Sequence, residues 1–223
     1  MHVEIVEHTP NPERVVAMAA RQCYSAGFVM DFTSTPEQDA TLLRRVIGSG
    51  HASVAEHAVF TFAIRGVSRA LSHQLVRFRL CSFSQQSQRY TSVGEDYIVP
   101  DTITNSQYGA AYHYAIKLAY ETYEGMVKAG VPKEDARYVL PNAAPTNLIM
   151  TMNARELLHA FNLRGCTRAQ WEIRELFNEI LRLVKPIAPI IFENAGASCV
   201  AGPCPEGAMG CGKKQGNSPA GKE

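Results

Sequence analysis

Between Gln74 and Tyr90 the chain concentrates groups suited to gripping a polar ligand. Gln74, Arg77, Arg79, Ser82, Gln85, Gln86, Ser87, Gln88, Arg89 and Tyr90 lie in one short stretch that holds no Lys, Asp or Glu. Guanidinium groups grip phosphate or carboxylate through paired, charge-assisted hydrogen bonds. Hydroxyls and side-chain amides both donate and accept, and so read the edge of a heterocycle. Two arginines, a run of hydroxyls and amides, and a third arginine suit a pocket for a phosphorylated, hydrogen-bonding ring. A merely solvated connection is the alternative, and the missing Lys, Asp and Glu weigh against it.

Other chemistries have little support. No Gly-x-x-x-x-Gly-Lys-Ser/Thr, no helix-opening Gly-x-Gly-x-x-Gly and no Gly-x-Ser-x-Gly is present. His51 and His57, with Glu56 between them, lack the spacing and the third ligand of a zinc hydrolase. Cys199, Cys204 and Cys211 supply three thiols near the C-terminus, where a structural zinc site takes four ligands in close pairs. No metal site is expected.

The arginine-rich stretch needs elements to hold it. Asn11-Pro12 suits the start of a helix over residues 11–24. Thr35, Pro36 and Gln38 make a capping box ahead of the stripe Leu42, Leu43, Val46, Ile47, with Gly48 and Gly50 as the stop. Residues 58–64 are β-branched and aromatic and read as a buried strand. Val67, Leu71, Leu75 and Phe78 then recur at helical spacing, which leaves Arg69, His73, Gln74 and Arg77 on the other faces. Residues 80–92 have neither period and read as a functional loop. A short strand is expected at 97–99, a long amphipathic helix at 106–129 with Tyr108, Tyr112 and Tyr123 packed in its core or at an interface, and a short helix ending near Arg137. A strand at 148–152 leads to a helix capped by Asn153 and running to Leu163. A last helix spans 169–184, with Trp171, Leu176, Ile180 and Leu183 on its buried face.

Strands interleaved with irregularly spaced helices indicate one α+β domain over residues 1–195 and not a repeated βαβ series. Gly, Pro, Ala, Ser and Lys dominate residues 196–223, which read as a flexible tail. With 22 Lys+Arg against 21 Asp+Glu the net charge is +1 over 223 residues, which argues against a general nucleic-acid coat protein. The apolar runs fall well short of the ~20 residues of a membrane helix, and the start of the chain lacks a secretory pattern, so a cytoplasmic location is expected. Six scattered cysteines read as reduced thiols and not as a disulfide framework.

Arg77-Phe78-Arg79, followed at a distance by Ser87 and Arg89, resembles the signature of the flavin-dependent thymidylate synthases, Arg-His-Arg, seven residues, then Ser. Further blocks resemble the same family in order along the chain. They are Gly50-His51 with Glu56-His57-Ala58-Val59-Phe60-Thr61-Phe62, Ala136-Arg137-Tyr138-Val139-Leu140-Pro141, Asn153-Ala154-Arg155, Asn162-Leu163-Arg164 and Ala169-Gln170-Trp171-Glu172-Ile173. Together they cover roughly residues 1–195 and are far more specific than any single motif.

The resemblance implies a mainly antiparallel sheet flanked by helices, and a homotetramer whose active sites draw on several subunits. It implies FAD as prosthetic group, NADPH and methylenetetrahydrofolate as co-substrates, and conversion of dUMP to dTMP. Carried over by position, Ser53, Arg77, Phe78, Arg79, Gln85, Asn153, Arg155 and His159 contact FAD. Gln74, Arg77, Gln85, Gln86, Ser87, Gln88, Arg89, Arg137 and Arg164 contact dUMP. Arg89, Arg137 and the Ser87 hydroxyl suit the phosphate. Arg164 suits the N3/O2 edge of uracil, where a guanidinium stabilises charge as C5 becomes nucleophilic, and is the expected catalytic residue. Ser87 has no neighbouring base to activate it and is assigned to binding.

Two positions depart from the family pattern. Phe78 stands in place of the signature His, leaving an aromatic face without the imidazole. Gln85 stands where some relatives have Glu, and an amide cannot act as a base. The alternatives are a relative that methylates UMP or another uridine nucleotide, and a noncatalytic nucleotide- or RNA-binding module.

Overall fold

The computed structural model describes residues 1–91, 94 and 96–213. Ser92, at the end of the expected loop, and residues 214–223 of the expected tail lie outside them. The chain begins with strand β1 (His2–His8) and helix α1 (Pro12–Tyr24), then α2 (Pro36–Gly48). The Thr35 hydroxyl accepts from the Gln38 N–H at 3.4 Å while Gln38 Oε1 accepts from the Thr35 N–H at 3.0 Å, so the capping box forms as read from the sequence. Strand β2 (Val59–Ser68) is followed by α3 (Arg69–Leu75), β3 (Cys81–Gln85), α4 (Asp101–Thr104), α5 (Gly109–Lys128) and α6 (Lys133–Ala136). Strand β4 (Pro145–Asn153), α7 (Ala154–Arg164) and α8 (Trp171–Val184) complete the regular elements.

The four strands form one sheet in the order β1-β2-β4-β3, and the fold class is α+β with an antiparallel sheet. Several expectations need correction. Val67 belongs to β2, which runs past Ile64, and α3 stops before Phe78. Residues 81–85, expected as loop, form β3, where half-buried Cys81, Phe83 and Gln85 alternate with exposed Ser82 and Ser84. Residues 97–99 carry no strand; the Ile98 N–H instead donates to the Ala143 carbonyl. Tyr123 is buried in α5, whereas Tyr108 is exposed, and Trp171 is not enclosed but 38% exposed.

The chain divides into two compact units interleaved in sequence. The first comprises Met1–His2, Ile64–Arg77 and Ser84–Leu148; the second comprises Val3–Ala63, Phe78–Phe83 and Ile149–Glu223. Each strand contributes residues to both. In the second unit Phe60, Phe161, Phe177 and Phe192 are fully enclosed and meet mostly edge to face, the arrangement that ring quadrupoles favour. The Glu13 carboxylate, in the first turn of α1, accepts from the backbone N–H groups of Ile190 and Ile191. Ala197 and Cys199, within the stretch whose composition reads as tail, are buried in this unit. Among the described residues no helix is long and apolar enough to cross a membrane.

Candidate active site

In the first unit five of the expected substrate residues, Gln85 to Arg89, lie at and just past the end of β3. Gln85 Nε2 donates to the hydroxyl of buried Thr146 at 3.2 Å. Gln86 Oε1 accepts from Asn147 Nδ2 at 3.1 Å, and Asn147 Oδ1 in turn accepts from the Gly66 N–H. The Ser87 hydroxyl accepts from the Arg89 N–H at 3.2 Å and the Ser87 carbonyl accepts from the Thr91 hydroxyl, so Ser87 shapes the turn. No carboxylate or imidazole is hydrogen-bonded to its hydroxyl among the described residues. Gln74 Nε2 donates to the Ala70 carbonyl one turn back on α3.

The arginines are arranged less simply than their spacing suggests. Arg89 forms an exposed ion pair with Glu134, with its Nη2 2.9 Å from Oε2, and its guanidinium lies over the Tyr90 ring. Glu134 holds the Arg89 pKa above its ordinary value. Arg137 Nε donates to the Glu134 carbonyl at 3.2 Å. The absence of acids between Gln74 and Tyr90 therefore does not describe their surroundings, because α6 brings Glu134 to Arg89.

Arg69, which the site residues implied by the resemblance do not include, opens α3. Its Nη2 donates to the Gln86 carbonyl at 2.6 Å and its backbone N–H to the Ala144 carbonyl. Arg69 Nε is buried without a partner. Burial, and then the positive charge of Arg137, pull its pKa below the ordinary arginine value. Two guanidiniums that repel each other are relieved when an anion enters. A cavity of about 450 Å³ lies here, lined by Arg65, Arg69, Gln86, Gln88, Thr146 and Asn147 among others. The only signal for Arg69 in the sequence is its place off the apolar face of α3; Thr146 and Asn147 carry none.

In the second unit Phe78 is 6% exposed, edge-on to His159 and Phe177. The Arg164 guanidinium, at the end of α7, lies 5.7 Å from the Phe78 ring centroid, and Arg164 Nε is buried without a partner. Asn153 Oδ1 accepts from the Glu156 N–H at 2.9 Å and so caps α7, the use its spacing predicts. Arg155 pairs with Glu56, and both are half-exposed. Ser53, Arg79 and His159 are exposed, and Arg79 forms no ion pair among the described residues. The same holds for Arg77 of the first unit. Burial, and then the charge of Glu156, push the Cys81 thiol up to about 11.

A family model described as thymidylate synthase complementing protein matches residues 4–190. A flavin-dependent thymidylate synthase of Geobacter sulfurreducens is 50% identical over 96% of this chain and 94% of its own length. One of Clostridium tetani is 47% identical over 95% of this chain and 93% of its own. The crystal structure of a UMP/dUMP methylase, PolB, from Streptomyces cacaoi bound with 5-Br dUMP has a TM-score of 0.76 at 26% identity, covering 86% of this chain and 93% of that one. Fold and matches define the class as an enzyme of the methyltransferase type. The chain belongs to the flavin-dependent thymidylate synthase family.

Proposed function

We propose that the protein methylates dUMP reductively to dTMP, with FAD as prosthetic group, methylenetetrahydrofolate as carbon donor and NADPH as reductant. The observation that carries the reading is the buried, unsatisfied Nε of Arg69, whose guanidinium holds the Gln86 carbonyl in the unit that contains the expected substrate loop. In this reading the nucleotide phosphate meets Arg137, Arg89, the Ser87 hydroxyl and Arg69, each supplying charge-assisted or polar donors. Gln74, Arg77, Gln85, Gln86 and Gln88 orient the sugar and base. Arg164 donates to the N3/O2 edge of uracil and stabilises negative charge as C5 becomes nucleophilic.

The residues present fit an anionic flavin nucleotide. Exposed Arg77 and Arg79 are without ion pairs among the described residues, and the buried Arg164 Nε lacks an acceptor. Ser53, Gln85, Asn153, Arg155 and His159 would complete the flavin contacts, with Phe78 as a wall behind them. Bound FAD supplies hydride chemistry between NADPH and the one-carbon unit. The protein's part is to bind, orient and neutralise. Residues 1–195 form the catalytic domain in this reading, which works in the cytoplasm as a homotetramer with shared sites.

A second reading is favoured by one observation. The similar solved structure is that of a UMP/dUMP methylase. A pocket that admits a ribose 2′-hydroxyl accepts UMP as well. The test of both is the visible spectrum of the purified protein with FAD, then anaerobic NADPH, then dUMP or UMP with methylenetetrahydrofolate. Bleaching of the flavin band with dTMP formed from dUMP supports the first reading, and turnover of UMP supports the second. A protein that binds no flavin refutes both.

A further inference from the structure

Outside this machinery, one cavity of about 570 Å³ near the C-terminus is lined by Cys199, Cys204 and Cys211, with Gly202, Gly210 and Lys213 among its other walls. Chain connectivity does not enforce this gathering of thiols. It depends on turns: the Gly207 N–H donates to the Cys204 carbonyl, the Gly210 N–H to the Gly207 carbonyl, and Gly207 and Gly212 sit at φ of 52° and 72°. Arg168 fastens the loop from the α7–α8 connection, through an ion pair to Glu206 and a hydrogen bond to the Met209 carbonyl.

Cys23, Cys204 and Cys211 are the exposed cysteines among the described residues, and the last two share this cavity. Cys204 Sγ lies close to Gly210, the residue that precedes Cys211, 3.4 Å from where a Cβ on it would stand. Cys211 Sγ accepts from the Lys213 N–H at 3.4 Å, across a glycine in the left-handed region. The Thr167 hydroxyl, first in effect, and that N–H lower the Cys211 thiol below its ordinary value. Two accessible thiols lining one cavity, one of which gives up its proton more readily than usual, are suited to a dithiol that exchanges with disulfides.

We propose that Cys204 and Cys211 form a reversible dithiol/disulfide site, with Cys211 as the attacking sulfur and a low-molecular-weight disulfide, RSSR, as the oxidant. The Cys211 thiolate attacks one sulfur of RSSR; the S–S bond breaks and RS⁻ leaves, taking up the proton that Cys211 released. Cys204 then gives up its proton and attacks Cys211 Sγ, expelling the second RS⁻, which takes that proton. The protein dithiol loses two electrons and RSSR becomes two RSH. Cys199 is buried at the wall of the same cavity and takes no part. The inference is independent of the reading of the active site.

The experiment is intact-protein mass spectrometry with peptide mapping of the full chain after incubation with glutathione disulfide at neutral pH. Wild-type protein is expected to lose two hydrogens at Cys204 and Cys211 without retaining glutathione at either, and dithiothreitol should restore it. Cys204→Ser should keep one glutathione, mapped to Cys211. Cys211→Ser should react at least tenfold more slowly at Cys204. The positions are exposed, so both variants should fold, which circular dichroism checks. A wild-type protein that keeps a glutathione adduct at Cys204 or Cys211, a Cys204→Ser variant without an adduct at Cys211, or a metal ion that copurifies and blocks the reaction overturns the proposal; an adduct at exposed Cys23 is mapped separately and does not bear on it.

Discussion

Arg69 Nη2 lies 2.6 Å from the backbone carbonyl of Gln86, so a guanidinium at the start of one helix holds the main chain of the loop that carries Ser87 and Arg89. The like charge of Arg137 acts on the same group. Replacing Arg69 by Gln removes a charge-assisted bond worth about 1.5–3 kcal/mol and should weaken dUMP binding about 10- to 100-fold. Isothermal titration with dUMP checks this, and unchanged affinity would reduce Arg69 to a packing role.

Arg164 carries the other unsatisfied buried guanidinium nitrogen of the site residues. In Arg164→Gln the single-turnover rate should fall about 10²-fold or more, as when a donor to developing charge is removed. The flavin absorbance should remain, which separates lost catalysis from lost cofactor. A rate within a fewfold of wild type rules out the assigned role.

Phe78 is buried against His159, Phe177 and the Arg164 guanidinium, so the family's histidine at this position has to find a partner there or remain unsatisfied. Phe78→His should cost about 1–3 kcal/mol of stability, the penalty for an unpaired buried polar group. Adding FAD should recover part of the loss if the imidazole reaches the flavin. Thermal melts with and without FAD decide it: identical stability of the two proteins in both conditions contradicts the expectation.

Ser87 spends its hydroxyl on the Arg89 N–H and has no adjacent base. Ser87→Ala should retain measurable dTMP formation, with KM for dUMP raised more than kcat is lowered. Complete loss of turnover with dUMP binding intact would instead make the serine a nucleophile.

Cys81 predicts a dependence on alkaline pH. Burial raises its thiol pKa to about 11 from an ordinary 9.0, so the folded protein holds the proton more tightly than the unfolded chain. Its stabilising contribution is complete below the unfolded value and is lost as pH rises from about 9 to about 11. The melting temperature of Cys81→Ser should fall less steeply over that interval. Parallel curves for the two proteins would show that the thiol is not linked to unfolding.

What was legible in the sequence follows from the range of the forces involved. The capping box at Thr35 and Gln38 and the cap at Asn153 depend on neighbours three residues away, and both form as read. Strand β3 reads as loop because its apolar positions are only Cys81 and Phe83; the alternation with Ser82 and Ser84 is present, in weak residues. Strand β1 gives no alternating signal in the sequence because Val3 is its one buried side chain. Trp171 and Tyr108 fit helical stripes but lie toward solvent, since periodicity marks a face without saying what covers it. The meeting of Arg89 with Glu134, 45 residues apart, and of Arg69 with the Gln86 carbonyl has no local signature at all.

The clasp between Glu13 and the main chain at Ile190 and Ile191 joins positions 177 and 178 residues apart. A nascent chain leaving the ribosome can wind α1 early, but the carboxylate meets the two amides only after residues 190 and 191 have been made. The first helix is therefore fastened by a segment that follows α8. A lesion in the turns beyond α8 would loosen α1 as directly as a lesion in α1 itself, so two stretches far apart in the order of synthesis share one point of failure.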